Sequence, residues 1–236
     1  MGLFNSYLKE GPGIEKGAPV RRGPALFFEI LLREAWGLVK LNLLFVLFCL
    51  PVVTIGPALG GMTTVVMKMV RDKNSYVWRD FWDAFRQEFL RFWLLGLPGL
   101  VLLAALLVTL LVYLPRLGLG PLYVVLFAAG LLLCFVGGLA WIYVYPLAAV
   151  TDLSLSLVLK DALLLGLGCM KHSAPGLLIC LALMAPMVLA FPESVPVLAL
   201  IGFSLTNFVA CFAAWPGIRT YAVRQDGEAL ENKEEE

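Results

Sequence analysis

Charged residues along this chain fall into four clusters, with long apolar stretches between them. The uncharged runs cover 41–67, 92–115, 117–151, 172–192 and 194–218. A helix needs about 20 apolar residues to cross about 30 Å of hydrocarbon. Each of the last four runs is long enough for one span. Backbone groups in lipid must bond within their own segment, so the runs predict helices. The polar–apolar alternation of a membrane barrel is missing. Pro121 and Pro146 trim the run 117–151 to one long helix.

The run 41–67 is interrupted by Pro51, Gly56-Pro57 and Gly60-Gly61. It predicts a helix from Glu34 to Val53, a turn over 54–57 and a second helix from Ala58 to Val70. Pro57 suits the first turn of that second helix. At 1.5 Å per residue the second helix is about 20 Å long, short for a full span.

Charge decides the sidedness. If the second helix crosses, the segments 1–33, 68–91, 152–171 and 219–236 share one side. Arg116 is then the only one of the 18 Lys and Arg residues left on the other. The positive-inside rule favours this arrangement. It predicts six crossings in three hairpins, with both termini cytoplasmic. The expected fold class is an all-α polytopic membrane bundle. A cytoplasmic segment 1–24 would precede one helical domain over 25–221, and a charged tail would occupy 222–236.

Composition agrees. Hydrophobic residues make up 61% of the 236 and charged residues 15%, against about 25% charged in soluble domains. So small a core cannot hide that much apolar surface from water. The net charge of +1 provides no field for nucleic acid. The bilayer is the expected partner.

One segment is amphipathic. Trp78, Phe81, Trp82, Phe85, Phe89 and Phe92 recur at helical spacing over 75–92. They form a stripe about 100° wide, with Arg79, Asp80, Asp83, Arg86, Gln87 and Arg91 covering the rest. Ser75 is the expected N-cap. The pattern predicts an interfacial helix. Two roles stay open: an anchor that sets the tilt of the next span, or a docking surface formed by Trp78, Asp80, Phe81, Phe85, Arg86 and Phe89.

A loose repeat accompanies it. Arg79-Asp80 followed by Arg91 matches Lys160-Asp161 followed by His172 at an offset of 81 residues. Phe27-Phe28-Glu29 through Arg33-Glu34 forms a similar prelude to the first hairpin. Such repeats are common among membrane transport folds, and duplication of a simple apolar pattern explains them as well.

The stretch from Leu41 through Leu50-Pro51-Val52-Val53-Thr54-Ile55-Gly56-Pro57-Ala58, followed by Tyr76, Arg79-Asp80-Phe81, Phe85-Arg86 and Phe89, resembles the YesL family. Gly2-Leu3-Phe4-Asn5 is similar to that family's opening. The resemblance implies a bacterial plasma-membrane protein of unassigned activity, in a family often encoded beside carbohydrate importers. Physically, Pro51, Thr54, Gly56 and Pro57 read as a hinge. Proline ends one helix, the Thr54 hydroxyl serves freed backbone groups, and Gly56-Pro57 starts the return. The hinge is expected to be a tight turn, or else non-helical backbone lining a site.

Catalytic chemistry is sparse. His172 is the single histidine, and the five cysteines contain no C-x-x-C. No phosphate-binding glycine loop opens a helix. Asp152 and Glu193 fall near span ends and are expected to face water. Asn42 is expected to bond between helices, and Ser204, Thr206 and Asn207 to knit helices or line a small cavity. The expectation is a non-enzyme with no cofactor or metal, an accessory of a carbohydrate import system that docks on its permease. The alternative is an independent permease or channel for a small neutral solute.

Overall fold

The computed structural model describes the backbone of residues 24–234 and the side chains of 25–220. The predicted N-terminal segment lies outside the described residues, apart from Pro24. Two compact units divide the chain, Met1–Arg33 and Glu34–Glu236. In the first, Phe27 and Phe28 meet edge to face at 5.4 Å.

The protein is an all-α membrane helix bundle. In order come α1 (Pro24–Phe48), a 3-10 turn (Val52–Thr54), α2 (Ile55–Val70), α3 (Val77–Gln87) and α4 (Phe89–Val108). Helix α4 continues through a π-helical segment (Thr109–Tyr113) and a 3-10 segment (Leu114–Leu119). Then follow α5 (Pro121–Val150), α6 (Leu155–Gly168), α7 (Met170–Leu189) and the single turn α8 (Val195–Val197). A π-helical segment (Leu198–Gly202) leads into α9 (Phe203–Glu234).

Among the described residues, five segments are long and apolar enough to cross a membrane: Val52–Val70, Phe89–Leu119, Pro121–Val150, Met170–Leu189 and Val195–Thr220. Helix α1 carries Glu29, Arg33, Glu34 and Lys40 and is not among them.

Several boundaries differ from the sequence expectation. Helix α1 ends at Phe48 rather than Val53, because Pro51 blocks the α conformation at Leu50 and Thr54 bonds back to the Phe48 carbonyl. Helix α2 starts at Ile55, so Pro57 sits inside its first turn. Pro146 does not end α5, which runs on to Val150. The amphipathic segment is two helices, broken at Glu88 (φ −106°, ψ 21°), so Phe89 and Phe92 belong to α4. Tyr76, not Ser75, is the N-cap of α3.

The three return helices α2, α5 and α9 touch one another pairwise. Helix α4 packs on α2 and α5, and α7 packs on α5 and α9. Glycines permit the close approaches. A Cβ on Gly60 would fall inside the Phe92 ring, and one on Gly99 inside the Trp141 ring. Leu41, Met62, Val65, Leu139, Tyr143 and Phe208 are fully buried in this centre.

Two of the three preludes of the repeat agree in the backbone, whereas the third, over 27–34, runs unbroken within α1. Glu88 and Cys169, 81 residues apart, share nearly the same conformation (−106°, 21° and −103°, 34°). Each is followed by a helix of 20 residues.

Candidate functional site

Three places hold the residues singled out by the sequence. The first is the hinge. The Thr54 hydroxyl lies within bonding reach of the Phe48 carbonyl, an unpaired acceptor at the end of α1, and of the Pro51 carbonyl, which also accepts the Thr54 N–H. A Cβ on Gly56 would stand 2.9 Å from the Phe92 carbonyl oxygen and 3.2 Å from the Trp93 Cα. Gly56 therefore lets α2 touch the start of α4. Pro57 is buried in the first turn of α2. The hinge residues share one local role, closing a turn and seating α2 on α4.

The second place is α3. Its aromatic stripe faces the chain's own helices. Phe81 is 1% exposed and Phe85 9%. Both rings pack on Phe48 of α1, at 5.4 and 5.1 Å between centroids. Phe89 meets Phe85 edge-on at 5.5 Å. Asp80 is also used internally. One of its oxygens lies 2.8 Å from Lys68 Nζ on α2, and the other accepts the Tyr76 backbone N–H at 2.9 Å. Trp78 (62% exposed) points outward, and Arg86 lies over the Trp82 ring at 5.7 Å. The docking surface read from the sequence is thus reduced. Phe81, Phe85 and Asp80 hold the fold, and Trp78 and Arg86 stay accessible. Trp78 borders a shallow apolar groove with Lys40, Leu43, Leu44, Leu47 and Val77.

Sequence reasoning missed Arg91. Its guanidinium donates to the Thr151 and Leu153 carbonyls at 2.7 and 3.0 Å and pairs with Glu88 at 3.1 Å. The α5–α6 connection is thereby fastened to the α3–α4 break. Helical spacing puts Arg91 among the surface residues. Nothing local points to carbonyls sixty positions away.

The third place is a half-open cavity of about 600 Å³ lined by residues of α1, α2, α4, α5, α7 and α9. Helices α5 and α7 approach where Gly138 faces Leu177. Beyond that contact, Leu131, Cys134 and Phe135 of α5 and Cys180, Leu181 and Met184 of α7 line the cavity. Thr63, Tyr145, Thr206 and Asn207 bring polar atoms to it. Each is already bonded. Asn207 donates its amide to Thr63 Oγ1 at 2.9 Å and accepts the Cys211 thiol at 3.2 Å. Thr206 donates to the Gly202 carbonyl at 2.9 Å, and Tyr145 to the Phe92 carbonyl at 3.4 Å. Among the described residues, none that lines the cavity is charged.

Asn42 does bond between helices. Its amide donates to the Leu198 and Ala199 carbonyls at 2.8 and 2.7 Å, and its oxygen accepts the Ser204 N–H at 2.8 Å. Those three groups belong to the π-helical entry of α9, where the ordinary ladder is interrupted. Ser204 is held there, away from the cavity that Thr206 and Asn207 line. His172, Asp152 and Glu193 are exposed. Among the described residues no three His, Cys, Asp or Glu side chains gather as metal ligands, and all five cysteines are free.

No curated protein and no solved structure matches the chain. Residues 38–110 match the family described as a protein of unknown function, DUF624.

Proposed function

We propose that this chain is a YesL-type plasma-membrane protein with six crossings and both termini cytoplasmic, and that it works without catalysis as an accessory of a carbohydrate import system. One observation carries the choice of accessory over carrier. The Thr63, Tyr145, Thr206 and Asn207 side chains at the central cavity are all bonded to the protein itself. A sugar presents several hydroxyls, and a site that binds it must offer matching free donors and acceptors, because unpaired polar groups in an apolar site are costly. The resemblance over 41–93 and the match over 38–110 support the family context.

On this reading the permease docks on the outward face of α1 and α3. Trp36, Leu43 and Leu47 are exposed at spacings of seven and four along α1, with Leu50 exposed just past its end, beside Trp78. The test is purification of the tagged protein in gentle detergent from its own host, grown on an inducing polysaccharide, with quantitative mass spectrometry of what accompanies it. Stoichiometric recovery of an importer permease is expected, and Trp78→Ala with Leu43→Ala is expected to abolish it without loss of the folded protein. Recovery of the protein alone would sink stable docking.

A second reading, a permease or channel for a small neutral solute, rests on the cavity between the hairpins. Uptake of labelled solute into proteoliposomes holding only this protein would establish it.

A further inference from the structure

We propose that the central cavity is a lipid site, occupied by one acyl chain of a membrane lipid that enters sideways between α5 and α7. The mouth is apolar and accessible. Leu131 is 40% exposed and Leu181 52%. Both lie in mid-helix, at the eleventh residue of α5 and the twelfth of α7. At that depth of a spanning helix the surrounding medium is lipid tail. The cavity of about 600 Å³ has room for about 20 waters at about 30 Å³ each. Each water would need two to four polar partners, and Thr63, Thr206, Asn207 and Tyr145 have given theirs to the protein. Water is therefore a poor filler. An empty void would forfeit the dispersion contacts of every wall residue. An acyl chain asks for no hydrogen bond and restores those contacts. The headgroup stays outside, since among the described residues no charged side chain lines the cavity to receive it. This inference does not depend on the accessory reading, which concerns the outward face of α1 and α3.

The test reconstitutes the full-length protein in phosphatidylglycerol vesicles containing a small fraction of the same lipid with a diazirine on one acyl chain. After irradiation, adducts are mapped by mass spectrometry. Met62 lines the cavity and is buried from the outside, whereas Leu100 and Leu132 face outward. Adducts on Met62, Cys180 and Met184 are expected in addition to those on Leu100 and Leu132. Met184→Trp, which narrows the cavity, is expected to remove the adducts on Met62 and Cys180 and to leave the outward ones unchanged. Adducts confined to Leu100, Leu132 and similar outward residues in the wild-type protein would overturn the proposal. So would inner adducts that persist undiminished in a folded Met184→Trp protein.

Discussion

The segments starting at α3 and α6 begin alike and are locked differently. Both short helices end in the same backbone conformation, at Glu88 and Cys169, and both lead into a helix of 20 residues. At the first break Arg91 ties three partners together. At the equivalent place in the second stands His172, which is exposed. Its neighbour Ser173 does the fastening there, bonding the Cys169 carbonyl at 2.9 Å and the Tyr143 hydroxyl at 3.0 Å. The short helices also exchange roles. Helix α3 brings a ring, Phe81, onto a glycine of α2, Gly61. Helix α6 brings a glycine, Gly166, onto the backbone of α5 at Leu139 and Ala140. An aromatic stripe on such a helix is thus one of two ways to seat it, and does not by itself mark a partner's surface.

Substitutions can break this comparison. The largest effect is expected at Gly166, where a Cβ would stand 2.8–2.9 Å from backbone atoms that cannot rotate away. Gly166→Val should destabilise by about 3 kcal/mol or more in thermal unfolding in detergent. A mild result would mean that α6 is loosely seated and the exchange of roles is false. Arg91→Ala comes next, at about 2–3 kcal/mol, since two carbonyls and one carboxylate lose a charged partner. His172→Ala should stay within about 0.5 kcal/mol. Equal losses at the two positions would show that both breaks use the same lock. Gly61→Ala should cost about 1–2 kcal/mol. Its new methyl would lie 3.0 Å from the Phe81 carbonyl oxygen and 3.1 Å from its ring, and the ring can shift. Ser173→Ala should cost less than Gly61→Ala, about 1 kcal/mol, the net value of a buried neutral hydrogen bond. A loss matching that of Arg91→Ala would place the main lock of the second break at Ser173.

The sequence made the spans visible because their signal is cumulative. Twenty apolar residues without a charge have few alternatives to a membrane helix. It also showed the offset of 81 residues and the inter-helix bond of Asn42. The break at Glu88 was invisible, since glutamate is a good helix former and no glycine or proline marks the turn. Tertiary contacts hold it, among them the Arg91 bonds to the Thr151 and Leu153 carbonyls. Pro146 misled in the opposite direction, because α5 carries a proline in its last turn without ending there. In the candidate site, amphipathicity located the stripe on α3, and the same stripe suits a core and a docking face equally. Only the positions of Phe48 and Gly61 decide between them. Of the cavity the sequence showed only Thr206 and Asn207 as lining residues, because its shape depends on how the apolar walls pack.

The Asn42 bonds have a consequence for how the chain is made. Their partners lie 156 to 162 residues later. At about 5–20 residues per second of synthesis, roughly 10–30 s pass before the ribosome delivers them. Through that interval α1 carries an amide whose final acceptors do not yet exist. Its permanent seat is among the last to be completed, and until then insertion machinery or neighbouring polar groups must shelter that side chain.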